Sequence, residues 1–360
     1  MRAQKKSIIR VIMVGPSKRG GISNTARCYM NSELVNMVDL RYISSTVLGT
    51  KLRKLVTVIG AYYILVFLII FKSPDIIHIL TSRGISFYRK MIFVFLAKMF
   101  RKKVLLHVHS DFEKFYKDSR INRYLITRVF NSVDLILVLS RSIKRCVEKY
   151  SDNKNIRILY NPVPTKEFAF LSNTRESGQR IVLFMGALVK EKGIYDLLRA
   201  IPKILQEFNN VKFVLCGDGD LLKVKEISKI RGIEDKVDIL DYVSDEQKIR
   251  ILKSADIFIL PSYHEGLPIS VLEAMASGLP IISTQVGGVP DAVEDCANGF
   301  LIQPGDINAI TERITTLLRD EQLCAEMGKR NVEKVTRLFD INVIIKQMVG
   351  EYEGLVLRRW

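Results

Sequence analysis

Short uncharged runs rich in Ile, Val and Leu recur along this chain of 360 residues, separated by longer stretches with helical spacing. In the first half the runs are Ile8–Val14, Ile76–Leu80, Val104–His109, Leu135–Leu139 and Ile156–Tyr160. Unbroken apolar character, rather than strict alternation, marks strands buried on both faces, as in a parallel sheet. Parallel neighbours need long crossovers, and Ile22–Val35, Val56–Phe71, Phe87–Phe100 and Ile121–Asn131 carry helical patterns. The plan repeats with Ile181–Met185, Val211–Cys216, Val237–Leu240, Ile257–Leu260 and Ile281–Ser283. So long a chain exceeds one ordinary core. The sequence therefore predicts an α/β protein with domains over residues 1–170 and 171–340. The polar, Pro-containing segment from Asn161 to Gly178 divides them, and a last helical pattern runs from Ile341 within residues 341–360.

Charge is unevenly spread. Residues 1–170 hold 31 Lys/Arg against 10 Asp/Glu, whereas residues 171–360 hold 24 against 28. A basic half implies an anionic partner such as a membrane surface or a phosphorylated acceptor. Nucleic acid is disfavoured, because no binding motif accompanies the charge. Cys28, Cys146, Cys216, Cys296 and Cys324 lack metal or redox spacing and read as thiols of a reducing compartment. Lys5-Lys6 followed by Ser7 to Val14 resembles a short secretory signal, but it leads into a Gly-rich turn, so a first strand is expected. Leu55–Phe71 holds no charge in seventeen residues, with Lys51, Arg53 and Lys54 before it and Lys72 after. As a helix it would reach about 26 Å against a hydrocarbon core of about 30 Å. A span would cut one domain in two, so the expectation is a helix packed on the sheet with an apolar face available to a membrane interface.

The chemistry concentrates where Glu265 and Glu273 stand eight residues apart. Pro261-Ser262 ends an apolar run, Gly266 and Pro268 forbid an early helix, and Ile269 to Ala276 is helix sequence stopped by Gly278 and Pro280. Glu265 thus falls in a loop and Glu273 in the first turns of a helix, with free N–H groups and a positive dipole end between them. That arrangement suits a phosphate flanked by hydroxyl-rich groups. An acid near a helix start can also serve only to complement the dipole. The surroundings decide the reading. Glu-x7-Glu, preceded by Pro-Ser and followed by Ala-Met-Ala-x-Gly-x-Pro-Ile-Ile, resembles the signature of retaining family 4 glycosyltransferases. The similarity continues through Gly287-Gly288-Val289-Pro290-Asp291, Asn298-Gly299-Phe300-Leu301 and Pro304-Gly305-Asp306.

The resemblance implies the GT-B fold, two facing Rossmann-like domains with a cleft between them and a last helix returning to the N-terminal domain. It implies that Glu273 holds ribose hydroxyls and Glu265 donor-sugar hydroxyls. Backbone N–H groups from Gly266 through Leu267, Pro268, Ile269 and Ser270 to Val271 would meet the diphosphate, with no backbone donor at the proline. Gly186 to Gly193 is similar to the family's Gly-Arg-Leu-x-x-Glu-Lys-Gly loop. Lys192 matches its lysine, but Ala187 replaces its arginine, so Lys190 or an N-terminal Arg is a candidate source of the missing charge. Gly20 and Gly21, after the first strand, would let a phosphate approach closely. Gly217 reads as a turn near the nucleotide rather than part of a metal-binding Asp-x-Asp, and Tyr242 and Val243 match positions where backbone meets the nucleobase. His107 and His109 share one strand face. The resemblance favours His109 near the donor sugar, with general-base duty open, and leaves His78 and His107 as accessory positions. Arg83, Arg89 and Lys90 are candidates for contact with an acceptor diphosphate.

These features imply a hexosyltransferase moving a sugar from a nucleoside-diphosphate donor to an acceptor hydroxyl with retention, and with no bound metal. A lipid-linked saccharide acceptor in cell-surface polysaccharide biosynthesis is expected, with the protein peripheral on the inner face of the cytoplasmic membrane. The alternatives are a nucleotide-sugar epimerase or hydrolase of the same fold and a non-catalytic sugar-nucleotide-binding partner subunit.

Overall fold

Twelve strands form two six-stranded parallel sheets in a computed structural model that describes residues 8–17, 20–169 and 178–357. The first sheet comprises β1 (Arg10–Gly15), β2 (Asp39–Ser44), β3 (Ile76–Thr81), β4 (Lys103–Val108), β5 (Leu135–Val138) and β6 (Ile156–Ile158), in the order β2-β1-β3-β4-β5-β6. The second comprises β7 (Arg180–Met185), β8 (Val211–Cys216), β9 (Val237–Leu240), β10 (Ile257–Leu260), β11 (Ile281–Thr284) and β12 (Gly299–Ile302), in the order β12-β11-β10-β7-β8-β9. Two edge strands, β2 and β12, were not anticipated from the sequence. In β2 only Ile43 is buried, so the unbroken apolar run that betrays a central strand is missing.

Each sheet reverses its strand order beside its first strand, between β1 and β3 and between β7 and β10. Crossovers leave on opposite faces at such a point, and the loops after the carboxyl ends diverge to leave a crevice. The two candidate regions lie on these loops.

The chain divides into two compact units, Met1–Pro162 with Ile341–Trp360, and Val163–Asp340. The division falls ahead of the boundary read at residue 170, because Val163 is already bridged to Asp340. Residues 170–177 of that boundary segment and residues 1–7, which include Lys5-Lys6, lie outside the described residues. The Ile341–Leu357 helix buries Ile344, Ile345, Met348, Tyr352 and Leu355 against Val11, Met13, Leu80, Leu105 and Leu137 of the first unit. Apolar burial of this kind contributes roughly 1.5–3 kcal/mol for each large side chain.

The Lys51–Lys72 helix connects β2 to β3. Both strands hydrogen-bond to β1, one on each side, so the helix is a crossover held to the sheet at both ends. Its first turn is capped by Thr50, whose hydroxyl accepts from the Arg53 N–H at 3.3 Å, and it stops at Ser73 in the left-handed region.

Candidate functional site

In the second unit, the loops after β7 and β10 meet at the strand-order reversal. Their approach depends on glycine. Gly193 has φ 75°, and a Cβ there would lie 2.0 Å from the Pro261 carbonyl oxygen. Gly287 has φ 56°, and its Cβ would lie 1.9 Å from the Glu265 carbonyl oxygen. No other residue fits either contact. Gly288 N–H donates to the Gly266 carbonyl at 2.5 Å, fixing the loop that carries Glu265.

Glu265 is nearly buried. Its Oε1 accepts from Lys192 Nζ at 2.6 Å and from Ser262 Oγ at 2.7 Å. The Ile269–Ala276 helix follows, opened by Pro268 with no side-chain cap, so its first N–H groups lack the side-chain acceptor that most helix starts carry. Leu267, Pro268 and Val271 are buried, whereas Gly266, Ile269 and Ser270 are half-buried. Glu273 sits on this helix, and its Oε1 accepts from Lys248 Nζ at 2.5 Å. Lys248 also reaches Asp245 at 3.3 Å and lies 5.8 Å from the centre of the Phe168 ring. Burial raises the Glu273 pKa, and the Lys248 charge opposes that rise. Burial works against the Lys248 charge, but the Glu273 and Asp245 carboxylates together outweigh it and raise the lysine pKa.

Lys248 comes from the Asp245–Ser254 helix, whose capping box joins Ser244 and Gln247. The preceding residues are exposed Tyr242 and half-buried Val243, so one helix links the predicted base-facing loop to Glu273. Gly217, after β8, donates its N–H to the Leu240 carbonyl at 3.0 Å. Lys190 comes from the same short turn as Lys192. It lines a cavity of about 750 Å³ with Tyr195, Arg199 and Asp220, a cavity that neither Lys192 nor Glu265 lines.

In the first unit, Gly20 adopts φ 141° and caps the Gly21–Met30 helix, which also has no side-chain cap. Lys18 and Arg19 of that loop lie outside the described residues. The ends of β3 and β4 bring two predicted residues, His109 and Arg83, close to each other. His109 N–H donates to the Thr81 carbonyl, and Arg83 N–H donates to Ser110 Oγ, both at 2.9 Å. Arg83 is exposed. Arg89 is not with it: this side chain lies at the seam with the Lys51–Lys72 helix, where Tyr62 shares its electrostatic environment and donates to the Arg89 carbonyl at 3.2 Å. Lys90, expected to be a candidate for acceptor contact, is instead buried. It is 2% exposed, donates to Ser45 Oγ, and is pushed well below the usual lysine range by burial and then by Arg89.

Behind His109 stands a buried ladder. The Tyr352 hydroxyl lies 2.6 Å from His78 Nδ1, His78 Nε2 lies 3.3 Å from His107 Nδ1, and the His107 and His109 rings lie tilted at 39° with centroids 4.4 Å apart. Burial, followed by the neighbouring imidazoles His107 and His78, holds His109 well below the ordinary histidine pKa. Burial likewise pulls His107 down to about 3. His109 Nε2 is buried without a hydrogen-bond partner. A neutral imidazole of such low basicity can donate or accept a hydrogen bond but is a weak general base at neutral pH. Sequence reasoning missed Lys248, Ser262 and Tyr352 as members of these clusters. Only Ser262 had a signal, the Pro-Ser pair after the strand.

Residues 165–334 match the family Glycosyl transferases group 1, and residues 9–167 match Glycosyltransferase Family 4. The N-acetyl-alpha-D-glucosaminyl L-malate synthase of Bacillus anthracis is 29% identical over 269 residues, 71% of this chain and 70% of that protein. The capsular polysaccharide biosynthesis glycosyltransferase CapM of Staphylococcus aureus is 28% identical over 174 residues, 48% of this chain and 45% of its own length. Across four curated relatives, the aligned stretch spans between 45% and 70% of the relative. The crystal structure of Anabaena HepE in complex with UDP superposes with a TM-score of 0.78 at 16% identity, covering 96% of this chain and 100% of that one, which establishes the shared GT-B architecture. With two parallel sheets of this topology and matches spanning both units, the chain belongs to the family 4 glycosyltransferases, its second unit being of the glycosyl transferases group 1 type.

Proposed function

We propose that this protein transfers a sugar from a nucleoside-diphosphate sugar to an acceptor hydroxyl, with retention at the anomeric carbon. The observation that carries the reading is the pair Glu265 and Glu273 flanking a helix start without a side-chain cap, with Lys192 bonded to Glu265. A donor diphosphate entering this region would draw the Lys192 ammonium and free the Glu265 carboxylate for sugar hydroxyls. Glu273 would take ribose hydroxyls. The bond from the anomeric carbon to the diphosphate oxygen breaks, and the acceptor oxygen bonds on the same face. The acceptor proton passes to the leaving diphosphate. Backbone N–H groups at the helix start and Lys192 stabilise the charge that develops there. His109 would serve as a hydrogen-bonding group, and no resident metal is invoked. UDP in HepE supports a uridine nucleotide donor, although Asp241 stands where the family usually has glycine.

The acceptor proposed is a lipid-linked saccharide of a cell-surface polysaccharide, met on the cytoplasmic face of the membrane. The basic N-terminal half and the likeness to CapM support it.

A donor screen by thermal shift tests the first step, because a nucleotide sugar at 100-fold its dissociation constant adds about 2.7 kcal/mol of stability. Glu265→Gln is expected to lower transfer about 100- to 1,000-fold, the scale of a lost transition-state contact. No shift with any nucleotide sugar, or equal turnover by the wild type and Glu265→Gln, would sink the reading. Free sugar or an epimer formed without acceptor would favour hydrolase or epimerase chemistry. Tight binding without any turnover would favour a partner subunit, the role to which Ala187 points.

A further inference from the structure

The Lys51–Lys72 helix is 22 residues long, about 33 Å at the usual rise and therefore long enough to cross a bilayer. Its connections forbid a crossing. β2 before it and β3 after it lie on either side of β1 in one sheet, so neither end can pass to the far side of a membrane without breaking strand pairing. The helix is nevertheless sparsely covered. Val58, Ala61, Leu65 and Ile69 are buried, a single stripe at spacings of three and four.

The opposite surface carries Val56, Ile59, Tyr63, Phe67, Ile70 and Phe71, each between 44% and 75% exposed. No charged residue interrupts the sequence from Leu55 to Phe71, where a helix on a water-facing surface would place its polar side. Cations gather at both ends instead. Lys51, Arg53 and Lys54 are exposed at the start and Lys72 at the finish. Lys102 Nζ reaches Ser73 Oγ at 3.1 Å, which brings the basic pair Arg101-Lys102 to the same end. The helix contains no acidic residue.

We propose that this face docks in the interface of an anionic bilayer, with the helix parallel to the membrane plane. Its aromatic and aliphatic side chains would enter the acyl boundary, and its basic ends would pair with lipid phosphates. The charge pattern selects lipid over a second copy of the chain. Packing two such faces together, parallel or antiparallel, sets cations at one end against cations at the other, with no acid on either helix to offset them. The proposal deepens the membrane placement given above and rests on that reading for its biological sense, while its test needs no turnover.

The test is flotation of the full chain with vesicles of phosphatidylcholine alone and of an equimolar mixture with phosphatidylglycerol. At least tenfold more protein is expected on the anionic vesicles, with the excess falling as salt rises. Phe67→Glu/Phe71→Glu should lower the bound fraction at least tenfold while leaving the thermal shift with UDP unchanged. Lys51→Gln/Lys54→Gln should weaken only the anionic preference. Wild type that stays off both vesicles, equal recovery of the Phe67→Glu/Phe71→Glu protein, or a stable dimer dispersed by that same change would overturn the proposal. Transfer to a water-soluble acceptor without vesicles is scored in parallel. Its loss with flotation intact sinks the reaction and leaves the docking, and the converse sinks the docking alone.

Discussion

In the unit that includes the C-terminal helix, three imidazoles stand in line behind β3 and β4 with no carboxylate acting on them. In the other unit, two carboxylates, one in the loop after β10 and one on the helix that follows, each face a lysine within hydrogen-bonding distance. Both clusters are largely removed from water, yet they answer desolvation in opposite ways. Without a counter-ion a buried base gives up its proton, and the group becomes a neutral hydrogen-bonding element. With one, the pair can keep both charges and attract a charged ligand. The contrast assigns geometry to the first unit and electrostatics to the second.

The sharpest way to break the comparison is acid. His78, His107 and His109 all have folded pKa values below the unfolded value of about 6.5. The unfolded chain therefore binds more protons below that pH, and stability that is fully present above it is lost as pH falls. Three such groups give a limiting slope of about 4 kcal/mol per pH unit, across a window from about pH 6.5 downward. The window reaches about 3 for His107. Limited proteolysis between pH 7 and pH 5, with fragments mapped by mass spectrometry, should show cuts around β3 and β4 before cuts in the second unit. First cuts in residues 180–340, or a slope below one proton's worth, would count against neutral imidazoles.

Lys248→Met tests the other side. It leaves Glu273 buried without its ammonium, and breaking a buried pair costs about 3–5 kcal/mol. The folded pKa of Glu273 is already raised by burial, and removing Lys248 raises it further. A raised acid contributes stability below its unfolded pKa and loses it as pH rises through the folded value. The variant should thus approach wild type near pH 5 and fall furthest behind near pH 8 in urea unfolding. Lys248→Arg should recover most of the loss. A deficit independent of pH would mean that the ammonium's contact with the Phe168 ring matters, not its pairing with Glu273.

How much of this was legible in the sequence followed local continuity. The bounds of β8, β9 and β10 could be read to the residue, since their apolar runs end at Gly, Asp and Pro. The Ile22–Val35 pattern instead breaks into Gly21–Met30 and Leu34–Met37, because Asn31 and Ser32 end the first helix. Lys192 and Glu265 were predicted from motifs and do meet. Lys248 lies 25 residues from Glu273, and Tyr352 lies 274 residues from His78, distances over which no spacing rule operates. Lys90 is a different failure. Phe87, Lys90, Val94 and Ala97 form one buried stripe of their helix, so the helical phase already put the lysine inside. Its charge obscured that signal.

Tyr352→Phe is the smallest of these perturbations and probes the ladder's direction. With all imidazoles neutral, the Tyr352 O–H can donate to His78 Nδ1, after which His78 Nε2–H donates to His107 Nδ1 and His107 carries its proton on Nε2. The reverse order would end with the tyrosine donating to Met348 Sδ, which lies 3.1 Å away. Sulfur is a weak acceptor, and although His107 Nε2 has no partner at hydrogen-bonding geometry, the nearby Leu159 carbonyl still raises its proton affinity against the larger effect of burial. The forward order should therefore dominate. Removing the hydroxyl leaves His78 Nδ1 buried and unpaired, a cost of about 1–3 kcal/mol confined to the first unit. Two-bond nitrogen–proton NMR on wild type should find the Nε2–H tautomer at His107, with a mixed tautomer in Tyr352→Phe. A wild-type Nδ1–H tautomer would reverse the ladder and turn the Met348 contact into its true end.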